Sequence, residues 1–143
     1  MYQLKIFSYL PNPRVWKSLI AGNICGVEVE VIGDKPANLG NWLWDFNPQK
    51  LDKDELGSDH KFARVGKRGF SGILYKTDSF LKAHPFGTVP AAFSPEGELG
   101  IFESNSILRA VARVGKESNL YGEGPYEASR IDSFLDANLV FSR

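Results

Sequence analysis

The chain has 143 residues, 43% of them hydrophobic and 24% charged, which are the proportions of an ordinary globular chain with room for one domain and part of another. Lysine plus arginine equals aspartate plus glutamate at 17 each, so no overall charge draws the protein to nucleic acid or to an anionic membrane surface. The single cysteine, Cys25, excludes an internal disulfide and fits a reducing compartment, and no apolar run approaches the roughly 20 residues that a membrane-spanning helix needs. The first residues lead straight into strand-like sequence, without a basic segment followed by an apolar core, so a cytoplasmic protein without a membrane partner is the expectation.

Gln3 to Tyr9 alternates enough to be a short strand. Asn12-Pro13 then predicts a helix start, with Asn as N-cap and Pro at the first helical position, where its missing N–H costs nothing. Val15, Leu19 and Ile20, with Asn23 or Ile24 one turn on, fall at helical spacing and predict its apolar face, and Gly26 is a natural stop. Val27, Val29 and Val31 alternate with Glu28 and Glu30 as a half-buried strand, so the opening reads as strand, crossover helix and parallel strand. The segment 37–76 shows no clear period. It holds the aromatic run Asn41 to Phe46, an acidic stretch from Asp52 to Asp59, a basic one from His60 to Arg68, and Gly66, Gly69 and Gly72 at its end. A connection of that length is uncommon in a compact domain and is expected to be functional or disordered.

Val89 to Phe93 and Leu99 to Phe102 read as two strands joined by the turn Ser94-Pro95-Glu96-Gly97-Glu98, and so as an antiparallel hairpin. Proline cannot donate to a strand ladder, so Pro90 belongs at a first strand residue, an edge or a special turn. A cis Val89–Pro90 bond would turn the Val89 N–H and C=O sideways, free to pair with a peptide-like ligand. Ser104 follows at a helix start, where backbone N–H groups without intrahelical partners make a small anion site, while Ser104 itself reads equally as a plain cap. Ile107, Leu108, Val111 and Val114 give that helix an apolar stripe, closed by Gly115. Another helix begins near Pro125, with Ala128, Ile131, Phe134, Leu135 and Asn138 or Leu139 on one stripe. One lone helix cannot bury both its own apolar face and that of the first module, so the Phe134 and Leu135 surface is expected to be covered by another chain.

Val89-Pro90-Ala91, a hairpin, and Glu103-Ser104-Asn105-Ser106-Ile107 together resemble the ligand-binding half of the thioredoxin-like N-terminal domain of glutathione transferases. Ile6 to Tyr9, Asn12 to Ala21 and Gly26 to Val31 narrow the resemblance to the transferase-like domain of the gamma-subunit family of eukaryotic translation elongation factor one. The match covers the first strand, helix and second strand and the region from Thr88 to Phe134; residues 37–76 have no counterpart in it, and the small helix that transferases carry in the matching, shorter stretch is expected over Thr77 to Ala83, with Asp78 near its start. The resemblance implies an α/β fold, a thioredoxin-like βαβ-ββα plan with a mixed four-stranded sheet and helices on both faces, plus the start of an all-α second domain. It divides the chain into residues 1–118, carrying a variable insertion at 37–76, and residues 119–143, a linker and the first helix of a second domain.

The resemblance also implies a site. Transferases lower the thiol pKa of glutathione with a Tyr, Ser or Cys near the end of the first strand, because a hydroxyl donating to the thiolate favours its charged form. Tyr9 sits where the tyrosine-type enzymes keep theirs, and is the catalytic candidate as well as an ordinary packing residue; Ser8 is the other hydroxyl. At the helix start, where serine- and cysteine-type enzymes keep their residue, this chain has Asn12, whose first role is capping. Tyr9, Asn12, Val89, Pro90, Glu103 and Ser104 are therefore the candidate glutathione-binding residues.

The function implied is a scaffold for the nucleotide-exchange subunits of the elongation factor one complex in protein synthesis, with glutathione as a weak ligand, no cofactor and no strong turnover. A fragment of an active glutathione transferase is the rival, and a homo-oligomer is left open. Other motifs carry little. Asp52 to Gly57 places Leu56 where a calcium loop needs oxygen, and two histidines with one cysteine do not make a zinc site. The basic run His60, Lys61, Arg64, Lys67 and Arg68 is balanced by its acidic neighbour, which disfavours direct nucleic-acid binding. Cys25, at the far end of the first helix, is expected to be an inert core residue.

Overall fold

The computed structural model describes residues 1–66, 69–115 and 117–141. Lys67, Arg68 and Arg143 lie outside the described residues. In chain order the elements are β1 (Leu4–Tyr9), α1 (Pro13–Cys25), β2 (Val29–Asp34), the short α2 (Pro36–Leu39), β3 (Trp42–Trp44), β4 (Gln49–Lys50), a 3-10 turn (Lys53–Glu55), β5 (Ala63–Val65), β6 (Ile73–Lys76), α3 (Asp78–Ala83), β7 (Ala91–Phe93), β8 (Gly100–Ile101), α4 (Ser104–Val114) and α5 (Pro125–Phe141).

The first sheet has the order β2-β1-β7-β8. β1 runs parallel to β2, with Leu4 opposite Val29 and Ile6 opposite Val31, and antiparallel to β7, with Ile6 opposite Ala92. The fold class is thus α/β with the thioredoxin-like βαβ-ββα order and a mixed four-stranded sheet. A parallel pair needs a crossover, and α1 supplies it. The ends of α1 are set by local chemistry. The Asn12 side chain accepts from the Arg14 N–H at 3.0 Å, Pro13 occupies the first turn, and Gly26 takes φ 75° as its N–H closes on the Gly22 carbonyl.

The buried face of α1 overlaps the one the sequence predicts only in part: Val15 is buried and Leu19 packs against the core as expected, but Ile20 and Ile24 do not. Val15, Ser18, Ala21, Gly22 and Cys25 face the sheet, whereas Trp16, Ile20 and Ile24 are half or more exposed. Two glycines are packed tightly around the end of this helix: a Cβ on Gly22 would come within 2.6 Å of the Val27 carbonyl oxygen just past the helix, and one on Gly115 within 2.4 Å of Cys25 Sγ. Cys25 is buried, with its thiol donating to the Val111 carbonyl at 3.7 Å. The second strand starts at Val29 rather than Val27, because the Val27 N–H is taken by the Gly22 carbonyl at the helix exit.

The described residues of the segment 37–76 include short strands and a 3-10 turn. Four of the short strands make a second sheet, β4-β3-β6-β5, with β3 and β6 parallel and Ala63 opposite Tyr75 in the β5–β6 pair. The acidic stretch is used locally, as Glu55 accepts from the Asp52 N–H at 3.0 Å in a capping box. α3 begins where the resemblance places it, capped by Thr77, whose hydroxyl accepts from the Phe80 N–H.

The core has two parts, one on each face of β1. Leu4, Ile6, Val15, Ala21, Cys25, Val27, Ala92, Ile107 and Val111 fill the side under α1 and α4. Phe7, Leu39, Trp44, Leu74, Phe80, Ala91 and Phe93 fill the other, between the first sheet, the second sheet and α3. α5 is tied to α4 by Arg109, whose guanidinium reaches Asp132 at 2.7 Å and Asp136 at 2.6 Å. Ile131, Leu135 and Leu139 of α5 are half-buried while Phe134 is 66% exposed, so the predicted apolar stripe splits between the domain and solvent. Among the described residues no helix is long and apolar enough to cross a membrane.

Candidate functional site

The loop from β1 to α1, the loop from α3 to β7 and the N-terminus of α4 converge on one side of the first sheet. A cleft of about 560 Å³ opens there, lined by Tyr9, Pro13, Arg14, Lys17, Trp44, Phe70, Gly87 to Pro90, Glu103 to Asn105, Asn138 and Leu139. Five of the six candidate residues meet in it: Tyr9, Val89, Pro90, Glu103 and Ser104. Asn12 is not among the lining residues. Its side chain is 1% exposed, accepts from the Arg14 N–H, and donates through Nδ2 to Ser8 Oγ at 3.0 Å. Ser8 in turn donates to the Tyr9 carbonyl at 2.9 Å, so both residues are occupied in fixing the end of β1.

The Val89–Pro90 peptide bond is cis, as expected, and Leu10–Pro11 is cis as well, which the sequence did not signal. Pro90 is buried just ahead of β7, where a residue without an N–H leaves no ladder bond unmade. Beneath this loop Lys76 is 4% exposed, donates to the Gly87 carbonyl at 2.8 Å, and lies 5.0 Å from the centre of the Trp44 ring.

At the start of α4, Glu103 holds φ 70° and ψ 120°, an uncommon conformation for a residue with a side chain, and one that clusters at ligand sites. Ser104 is the first helical residue, not the cap. The capping position belongs to Glu103, whose side chain makes no cap hydrogen bond, and Glu103 to Asn105 at this helix start line the cleft.

The charged groups gather beside this helix end. Lys17 donates to Asn105 Oδ1, and Asn105 Nδ2 donates to the Leu135 carbonyl at 2.8 Å, which carries α5 up to the cleft. Burial lowers the Lys17 pKa, and the nearby Arg14 and Arg109 guanidinium groups lower it further. A cationic group whose charge is disfavoured by its neighbours is a ready partner for an anion, which relieves that repulsion. Arg14 adds an exposed guanidinium. On the opposite wall Phe70 packs 6.4 Å from the Tyr9 ring and edge-on to Trp44 at 5.5 Å. Sequence reasoning missed Arg14, Lys17, Trp44 and Phe70. The first two are visible only as polar positions on a helix whose buried face was misassigned, and the last two lie in the segment without a readable period.

No family model matches the chain. Over 65 residues it is 40% identical to a probable elongation factor 1-gamma 1 of Arabidopsis thaliana, a match covering 46% of this chain and 15% of that protein. Over 125 residues it is 38% identical to an elongation factor 1-gamma 2 of Oryza sativa subsp. japonica, covering 87% of this chain and 21% of that one. In structure it is similar to Ure2p in complex with glutathione, with a TM-score of 0.55 and 17% identity over 96% of this chain and 49% of the other. The chain has the fold of a glutathione-transferase N-terminal domain, and its sequence is similar to elongation factor 1-gamma. It spans less than a quarter of the length of these two curated relatives and about half that of the structural neighbour.

Proposed function

We propose that this domain is the transferase-like module of an elongation-factor-1-gamma-type protein, acting in the cytoplasm as a scaffold for the nucleotide-exchange subunits of protein synthesis. The observation that carries this reading is the similarity to proteins of that name, which extends over 87% of this chain in one case. The state of Asn12 supports a scaffold over an enzyme. It stands where serine- and cysteine-type transferases keep their thiol-activating residue, yet its amide is spent on Ser8 and on the helix cap. The cleft retains the elements of a weak glutathione site. The Val89 backbone can pair with the peptide, the N-terminus of α4 with Ser104 can hold a carboxylate, and Glu103 can hold an ammonium. Purified exchange subunits should be retained by the immobilised protein; failure of all of them to bind would remove the translation role.

The position of Tyr9 in the cleft favours one rival, an active transferase in which its hydroxyl stabilises the thiolate. Conjugation of a generic chloronitrobenzene electrophile with glutathione, lost in Tyr9→Phe, would decide for that rival. The scaffold reading expects turnover indistinguishable from the uncatalysed reaction.

A further inference from the structure

β2 is the outer strand of the first sheet and, at six residues, the longest edge strand among the described residues. The other three edges, β8, β4 and β5, have two, two and three residues. On its inner side β2 pairs with β1. The Gln3 N–H closes on the Glu28 carbonyl and the Leu10 N–H on the Asp34 carbonyl, both at 2.8 Å. The even-numbered residues of this stretch therefore turn their backbone groups toward β1, and Val29 and Val31, one step out of phase, turn theirs away from the sheet. Among the described residues nothing pairs with the N–H and C=O groups of Val29 and Val31 on that outer side. Such a row is a template for one more strand.

The side chains say which strand. Val29 and Val31 rest, with Leu19, on the margin of the aliphatic core. Glu30 lies on the opposite face, because successive residues of a strand alternate. Lys5 stands across from it in register, but the Lys5 ammonium goes to Asn47 Oδ1 at 3.3 Å and sits 4.3 Å from the centre of the Phe46 ring. Glu28 is met by the N-terminal ammonium at 3.4 Å, and Asp34 by Lys50 at 3.8 Å and Trp42 Nε1 at 3.1 Å. Glu30 has no ion pair among the described residues, so the middle of the edge carries an uncompensated negative charge. A second copy of this chain fits badly there. In the antiparallel two-fold register that uses all of the outer groups, Val29 meets the other copy's Val31 and Glu30 meets its own counterpart, and like charges directly opposite are destabilising. The charge that bars self-pairing selects a strand with a cation opposite Glu30.

We propose that the β2 edge is a docking site for an extended segment of another protein with an apolar–basic–apolar pattern. The segment adds antiparallel to the sheet, with its apolar residues beside Val29 and Val31 and its Lys or Arg opposite Glu30. No residue of β2 lines the cleft, so the proposal stands apart from the readings above.

The test is an NMR titration of the isotope-labelled whole chain with the peptide acetyl-Thr-Val-Lys-Val-Thr-amide. Saturable shifts centred on Val29 to Val31 are expected, with slowed hydrogen exchange at the Val29 and Val31 amides. Methylating the two valine nitrogens of the peptide removes its donors to β2 and should weaken binding about tenfold or more. Replacing the peptide's lysine by glutamate should weaken it about fivefold, and Glu30→Lys should reverse that preference. Binding unchanged by methylation, or a preference that Glu30→Lys leaves as it was, overturns the proposal. So does the absence of saturable shifts on β2 up to about 5 mM peptide. Protection of Val29 and Val31 that rises with protein concentration and without peptide would put a second copy on the edge and overturn the choice of partner.

Discussion

The two faces of β1 teach different lessons about the same strand. Leu4 and Ile6 look into an aliphatic core under α1 and α4, filled by Val15, Ala21, Cys25, Ile107 and Val111. Phe7 looks the other way, into an aromatic core built with Trp44, Phe80 and Phe93 and roofed by the second sheet. The aliphatic side is held by the packing of its branched and small apolar side chains. The aromatic side is held by edge-to-face rings and by polar handles, such as Trp44 Nε1 donating to the Leu39 carbonyl at 3.0 Å. The cleft borders the aromatic side, so that is where the packing can be modified to serve ligand choice.

This contrast can be broken most sharply at Trp44. Trp44→Ala should destabilise the domain by about 3–5 kcal/mol in chemical denaturation, since the ring is 1% exposed and touches Phe7, Phe70 and Phe80. A loss below about 1 kcal/mol would mean that the second sheet is not part of the cooperative core.

The next effect is a pH dependence confined to the aromatic side. His84 is 1% exposed among Phe80, Phe93 and Phe102, and its ring Nε2 lies 3.0 Å from the Ala92 carbonyl, to which it donates as the neutral tautomer. Burial pushes its pKa down to about 4 from 6.5, with the Ala92 hydrogen bond opposing the shift. The unfolded chain takes up the proton below pH 6.5 and the folded one only near 4. This contribution to stability is therefore full above 6.5 and lost as the pH falls through that window, by up to about 3 kcal/mol. Denaturation midpoints measured from pH 7.5 to 4 should decline less steeply in His84→Phe; equal slopes would refute the assignment.

Smaller still is Asn12→Ala, at the junction of the two sides. It removes a helix cap and the donor to Ser8, and should cost about 1–2 kcal/mol in the same assay. Smallest is Phe134→Ser. Its ring is 66% exposed with Arg130 5.1 Å from its centre, so stability should change by less than about 0.5 kcal/mol. A larger loss would show that α5 depends on that ring as well as on Arg109.

Local chemistry written in the sequence was enough for the βαβ opening, the Asn12 cap, the Gly26 stop and the hairpin strand expected over Val89 to Phe93 and formed at Ala91–Phe93, whereas the helix after Thr77 followed from the family resemblance. Each of these local features depends on residues within a few positions of one another. The cis Val89–Pro90 bond and the meeting of Tyr9, Val89, Pro90, Glu103 and Ser104 followed from the family resemblance rather than from periodicity. What the sequence could not decide was which face of α1 is buried. Val15 and Leu19 turn inward as their spacing suggests, yet Ile20 and Ile24 are exposed while Ser18, Ala21, Gly22 and Cys25 are buried, which only the packing of the helix against its neighbours decides. Nor could it show that residues 37–76 build a sheet, because strands of two to four residues are too short to display a period and are fixed only by their partners. The cleft's aromatic wall and its cationic end are likewise products of tertiary structure, since Phe70 and Tyr9 stand far apart along the chain, and only the closing of two sheets on one strand brings them to the same opening.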